Sequence, residues 1–295
     1  MSNLIKTITI VTPSYNQGQF IEQTIKSVLS QAGNFYIDYI IADGGSTDQS
    51  VSIIKKYNEL IKNNQYPIKC LGIKFTWWTK PDAGQANAIN NGFQIASGSI
   101  LAWLNSDDYY EPGAIEYIVN KLRNNPDVDM VYGHCFSLQE ETSTKKNLII
   151  KETNFNNFLR RGDSICQPAA FFTKKIYDQV GGLLNENLNY VIDYDLFLKI
   201  FQTGQTLHVN KTLANFRLWE NSKTCSQQTK LDKERKKLLK SYGGNFIDPK
   251  TIYRFRYKIP FTDFTRKYLP FIYKPIKNIF YLIADNIHHS NKWKN

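Results

Sequence analysis

The segment Asn105-Ser106-Asp107-Asp108 follows directly on the apolar run 100–104 and sets two adjacent carboxylates at the end of a stretch that reads as a buried strand. Neighbouring acids repel, and at a strand end both stay ionised only if a cation or a set of hydrogen-bond donors shares the charge. A divalent ion lying between such carboxylates and a diphosphate meets that need. The pair has company. Asp43 closes a second apolar run, 39–42, just before Gly44-Gly45, with Ser46 or Thr47 placed to cap the helix that follows. A third run, 8–11, leads into Thr12-Pro13-Ser14-Tyr15-Asn16. In an open parallel α/β sheet the carboxyl ends of the strands gather along one edge and ligands bind in the crevice there. Three polar or acidic strand ends therefore point to a nucleotide-sized site.

The elements that must position these residues alternate along the chain. Periodicity predicts strands near 7–12, 37–43, 72–77, 99–104 and 128–133, with helices near 18–31, 47–62, 84–96 and 113–124. That is the βαβ rhythm of a mostly parallel sheet flanked by helices. From about residue 134 the rhythm loosens, and 139–147 reads as a polar loop between two strands. Residues 230–240 read as a basic helix that Gly243-Gly244 ends.

The motifs, taken in order, resemble those of glycosyltransferase family 2 over roughly residues 5–225. They are Val11-Thr12-Pro13-Ser14-Tyr15-Asn16, Asp43-Gly44-Gly45-Ser46-Thr47-Asp48, the stretch from Asp82-Ala83-Gly84-Gln85 to Asn90-Asn91-Gly92, Asn105-Ser106-Asp107-Asp108, Gln167-Pro168-Ala169-Ala170, and Asp193-Tyr194-Asp195-Leu196. The resemblance implies a GT-A (Rossmann-like) fold and an inverting transfer from a UDP- or dTDP-sugar to a glycan or lipid-linked acceptor in cell-surface polysaccharide synthesis. It implies a divalent metal, Mg²⁺ or Mn²⁺, on Asp108, with Asp107 against the ribose or the sugar side of the diphosphate. The base would meet Thr12, Pro13, Tyr15 and Asp43, and Asp82 and Asn90 would add donor contacts. Gln167 and Trp103 would line the sugar or acceptor pocket. Asp193 would be the general base that an acceptor hydroxyl requires; Asp195 is its rival, with the helix dipole as the simpler account of it.

The chain departs from the family pattern in three places. Ile192 stands where a Glu usually precedes the base, Ile89 where many relatives carry Arg, and Trp219 where they often have His. Lys80, Arg217 and Lys223 are then the candidates for the diphosphate. Two further readings are a sugar nucleotidyltransferase, for which 12–18 lacks a glycine- and basic-rich loop, and a noncatalytic carbohydrate-binding relative. A processive synthase fits less well, because neither spanning helices nor a Gln-x-x-Arg-Trp signature occurs.

Charge divides the chain. The formal net charge is +11, and residues 230–295 hold 16 Lys/Arg against 5 Asp/Glu, so all the excess lies there. The expected organisation is a catalytic domain over 1–229 and a basic helical extension over 230–295. In the extension, aromatic residues alternate with Lys and Arg, and Ile276, Ile279, Phe280, Ile283 and Ile287 share a helical face after Pro275. Such a terminus suits an anionic membrane surface over 250–295. Nucleic acid ranks last, since no recognisable nucleic-acid motif accompanies the charge. Cys70, Cys135, Cys166 and Cys225 form no Cys-x-x-Cys pair, and neither a secretory signal nor a run of about 18 apolar residues is visible. These features lead to the expectation of a cytoplasmic protein, peripheral at the inner face of the membrane.

Overall fold

The computed structural model describes residues 6–161 and 165–244. Its first part alternates β1 (Lys6–Ser14), α1 (Ile21–Leu29), β2 (Phe35–Asp43), α2 (Ser50–Lys62), β3 (Gly72–Thr79), α3 (Gln85–Gln94) and β4 (Ile100–Trp103). A two-residue strand β5 (Tyr109–Tyr110), α4 (Ala114–Asn124) and the long β6 (Met130–Gln139) follow. Then come β7 (Thr144–Leu148), α5 (Phe155–Arg161), β8 (Ala170–Thr173), α6 (Lys174–Gln179), α7 (Ile192–Thr203), β9 (Thr206–Leu218), α8 (Lys223–Ser226) and α9 (Gln228–Ser241). The strands form one sheet in the order β3-β2-β1-β4-β8-β6-β9-β5, with β7 on β6. β1 to β4 pair in parallel, while β8 runs antiparallel between β4 and β6.

Helices on the sheet faces explain why β1, β2 and β4 read as continuous apolar runs, since such strands are buried on both sides. α1 presents Ile21, Ile25, Val28 and Leu29 to the sheet at helical spacing, and all four are fully buried. Each contributes about 1.5–3 kcal/mol by leaving water. α3 comes closer still, because a side chain at Gly92 would begin 2.6 Å from Val11 Cγ1.

Register brings the strand ends together. Ser14 pairs with Asp43, Asp43 with Thr79, and Val11 with Trp103, so the carboxyl ends of β1, β2, β3 and β4 share one edge. The helices begin one to three residues later than periodicity predicts, as the strand ends run on into ordered turns. Ser46 and Thr47 do not cap α2. The helix starts at Ser50, whose N–H donates to Asp48 Oδ1 at 2.9 Å, while Asp48 Oδ2 takes the N–H of Gly18 at 2.8 Å. The polar stretch 139–147 is not one loop either: β6 and β7 pair antiparallel from Gln139 and Thr144 outward, which leaves a short turn with Ser143 at φ 53°.

The compact unit extends through Gly244 and includes α9, so the expected boundary at 229/230 falls inside it; residues 245–295 lie outside the described residues. α9 belongs to that unit because Leu231, Leu238 and Leu239 are buried. The amphipathic segment after Pro275 lies outside the described residues. Among the described residues no helix is long and apolar enough to cross a membrane.

Candidate functional site

The acidic loop is held by three elements. β5 follows it immediately and pairs antiparallel with β9, Tyr109 opposite Asn215, so continuing that register sets Arg217 opposite Asp107. Arg217 Nε donates to the backbone carbonyl of Asp107 at 2.8 Å, and the Arg217 N–H donates to Asp108 Oδ1 at 2.9 Å. The other guanidinium nitrogens go to Glu140 and Gln23, and the group lies 4.4 Å over the Phe20 ring. From below, Thr24 Oγ1 sits 2.9 Å from Ser106 O and 2.6 Å from Asp108 O.

The two carboxylates differ. Asp108 is 1 % exposed and faces inward toward the Arg217 N–H, whereas Asp107 lines a cavity of about 1140 Å³. Its Oδ2 accepts the indole N–H of Trp219 at 2.9 Å, and Trp219 is fixed edge-on against Phe20 at 5.2 Å. Burial pushes both acids above the usual carboxylate range, and the neighbouring Asp107 charge pushes Asp108 well above it. Two acids so placed hold their charges poorly without a cation.

Around Asp107 the same cavity is lined by Pro13, Tyr15, Asp82, Trp103, Gln167, Asp193, Arg217 and Lys223. Asp193 stands in the first turn of α7, half-buried, with Tyr194 N–H donating to its Oδ1 at 2.8 Å. Asp195 is committed elsewhere: it pairs with Lys199 at 2.7 Å and accepts the Tyr242 hydroxyl at 3.0 Å. Lys223 Nζ reaches Gln85 Oε1 at 3.0 Å and Asn189 O at 3.3 Å, and burial lowers its pKa from the ordinary lysine value. Gln167 donates to Trp103 O at 2.9 Å. Asp82 crowds Gly44, where any side chain would start 2.9 Å from Asp82 Oδ2. Two buried polar atoms in cavity-lining residues, Ser14 Oγ and Gln17 Oε1, have no hydrogen-bond partner.

Residues 9–181 match the model of the family described as Glycosyl transferase family 2. The chain belongs to that family. It is 28% identical over 216 residues to the hyaluronan synthase of Pasteurella multocida, covering 72% of this chain and 20% of that protein. The chondroitin synthase of Escherichia coli is 26% identical over 230 residues, 77% of this chain and 31% of the relative. The chain thus spans a fifth to a third of the length of these curated relatives. Among solved structures, Staphylococcus aureus TarS 1-349 in complex with UDP-GlcNAc superposes with a TM-score of 0.61 at 13% identity, over 89% of this chain and 76% of that one. The mannosyltransferase PcManGT of Pyrobaculum calidifontis, in complex with GDP-Man and Mn2+, gives 0.57 at 14% identity over 84% and 67%. These likenesses show the fold, the GT-A arrangement.

Not every expected site residue lines the cavity. Asp108 lies outside the cavity lining, with its Oδ1 accepting the Arg217 backbone N–H, while Asp107 lines the cavity. Arg217 clamps the acidic loop with one bond from each guanidinium nitrogen and also lines the cavity, as do Lys223 and Arg235. Lys80 is exposed outside the cavity lining. Thr12 is buried against the Tyr39 hydroxyl at 3.1 Å, and Asn90 holds Leu184 by its N–H at 2.8 Å and its carbonyl at 3.0 Å. Asp43 is fully buried, accepting from Gly45 and Ser46 N–H at 3.1 and 2.9 Å and from Thr79 Oγ1 at 2.7 Å. Its carboxylate shapes the turn beneath Gly44.

Trp219 and Gln85 stood inside the motifs read from the sequence but without their partners, and Glu140 carried no signal, because the residues they bond are distant in sequence. We expect Arg217→Met to lower stability by about 2–3 kcal/mol, since it strands a backbone carbonyl and two side-chain acceptors, one of them half exposed. Urea unfolding checks this, and an unchanged midpoint would contradict the clamp.

Proposed function

We propose that this family 2 protein transfers a sugar from a UDP- or dTDP-linked donor to an acceptor hydroxyl with inversion at the anomeric carbon. The observation that carries the reading is that Asp107 and Asp193, a half-buried acid beside a second carboxylate and an acid in a helix first turn, line one cavity. Pro13 and Tyr15 offer a surface for the base, and the unpartnered Ser14 Oγ and Gln17 Oε1 offer polar atoms beside it. Asp193 takes the proton of the acceptor hydroxyl, which is too weak an acid to attack unaided at neutral pH. Lys223 offsets charge on the departing diphosphate. Gln167 and Asp82 read sugar hydroxyls.

A divalent cation fits this site. Among the described residues no group of three or more His, Cys, Asp and Glu side chains could hold a metal by itself. A hard cation held by one or two carboxylates, with diphosphate oxygens and water completing its shell, needs no such group. Asp107 would hold it, and when bound it would supply charge neutralisation of the leaving group. The Mn2+ named with the mannosyltransferase supports the same view.

The acceptor is a glycan or a lipid-linked glycan. The synthases among the relatives support a role in polysaccharide assembly, and the exposed Leu148 and Ile149 at the cavity wall favour an acceptor with an apolar part. Nucleotidyl transfer loses ground to the family assignment. Release of UDP or dTDP from a panel of sugar donors, with Mg²⁺ and Mn²⁺ compared, tests the proposal; no release from any donor in the presence of acceptor glycans would leave the noncatalytic alternative. For the basic segment 250–295 we expect cosedimentation of the full chain with phosphatidylserine vesicles that salt weakens. Equal cosedimentation by a chain ending at Gly244 would remove that partner.

A further inference from the structure

The backbone N–H groups of Asn189, Tyr190 and Val191 run consecutively into α7, and all three donate to a single carboxylate on another helix. Asn189 lies 3.0 Å from Glu234 Oε1 and 3.1 Å from Oε2, Tyr190 is 2.6 Å from Oε2, and Val191 is 3.2 Å from Oε2. Of these the Val191 N–H belongs to the helix start, whose first donors lack intrahelical partners, and the carboxylate satisfies it together with the two turn amides before it while complementing the helix dipole. Val191, the N-cap of α7, has no side chain able to do this. The cap therefore comes from α9, on which Glu234 is one of two acids in a helix otherwise rich in Lys and Arg.

Two further contacts give this cap a functional direction. Two residues beyond the capped Val191 is Asp193, whose carboxylate reaches the cavity. The carbonyl side of the same loop is also held, because Lys223 Nζ donates to Asn189 O at 3.3 Å and to Gln85 Oε1 at 3.0 Å. Gln85 Nε2 in turn donates to Asn105 Oδ1 at 2.8 Å, in the acidic loop. A continuous hydrogen-bonded path thus joins Glu234, the turn before Asp193, the cavity lysine and the cation end of the site. α9 is itself tied to α7 a second time, through the Tyr242 hydroxyl on Asp195 Oδ1 at 3.0 Å.

We propose that Glu234 is a positioning residue for the transfer: it fixes the turn 189–191, and with it the approach of Asp193 to the acceptor hydroxyl. The proposal rests on the reading of Asp193 as the base. A misplacement of about 1 Å in such a group is enough to cost on the order of 10²-fold in rate.

The test uses the full chain and three proteins: wild type, Glu234→Ala and Glu234→Gln. UDP release gives kcat and the donor KM, titration calorimetry gives UDP affinity, and amide exchange reports residues 189–194. For Glu234→Ala we expect kcat to fall on the order of 10²-fold with donor KM and UDP affinity within about twofold, together with faster exchange confined to 189–194. Glu234→Gln, which keeps one accepting oxygen, should recover part of the loss. Wild-type kcat in Glu234→Ala, or a loss matched by a fall in UDP affinity, would overturn the proposal. If Glu234→Ala does not fold, a Gln variant with wild-type kcat and wild-type exchange does the same. A wild-type protein that binds UDP but turns over no donor would instead count against the transferase reading, and unchanged exchange at 189–194 in Glu234→Ala would then overturn the Glu234 proposal by itself.

Discussion

Asp107→Asn is expected to abolish the cation dependence of UDP binding and to lower turnover by about 10³-fold, while leaving the fold intact. Asn keeps an oxygen to accept the Trp219 N–H at the position now 2.9 Å away, so the loop has little reason to move. The charge, however, is gone, and with it the attraction for a divalent ion in a site where burial already raises the pKa of both acids. Removing one acid also relieves its repulsion of Asp108, which argues for equal or greater stability in the mutant. Asp108→Asn should behave in the opposite sense. Its Oδ1 takes the Arg217 N–H at 2.9 Å in a place without solvent, so the change falls on packing and stability ahead of cation affinity. Calorimetric titration of UDP with and without Mn²⁺, run on both mutants, separates the two roles. Cation-stimulated binding that survives in Asp107→Asn and is lost in Asp108→Asn would restore the metal to Asp108 and refute the assignment made from the cavity.

The second large effect concerns proton transfer. Asp193→Asn is expected to cut kcat by about 10²–10⁴-fold with UDP affinity nearly unchanged, the range that a positioned general base supplies. The amide can still accept the Tyr194 N–H now held at 2.8 Å, so that bond at the helix start is kept while the basicity is lost. Asp195→Asn is the control. Asp195 is engaged by Lys199 and Tyr242, so its mutation should shift stability and leave kcat close to wild type. Single-turnover measurement with saturating donor distinguishes the two, and a fully active Asp193→Asn would require another base.

How much of this was legible beforehand follows from the range of the interactions. The strands 7–12, 37–43 and 72–77 and the helices between them could be read because their signal is local: apolar period, glycine punctuation and turn chemistry. The clustering of strand ends could be read as well, since parallel pairing leaves little freedom once the βαβ order is known. The start of α2 was misplaced because Ser46 is drawn off by Asp43, to which it donates both its N–H, at 2.9 Å, and its hydroxyl. Asp48, which also takes the Gly18 N–H from the β1–α1 connection, accepts the first helical N–H, that of Ser50, instead. That competition is invisible in one segment taken alone.

The order Asn105-Ser106-Asp107-Asp108, the late Asp193 and the family they indicate are properties of the amino-acid sequence. Which of two adjacent aspartates faces the cavity is not, because a strand end rotates successive side chains to opposite sides and only the partner strand fixes the phase. Here β9 does so, through Arg217 on the backbone of Asp107 and on the side chain of Asp108. Likewise the sequence marks 230–240 as a basic helix, but only tertiary packing turns Glu234 onto three backbone amides and makes α9 part of the compact unit. Residue type and local pattern set the available chemistry; long-range hydrogen bonds, which depend on chain segments far apart meeting at a few ångströms, decide which side chain carries it.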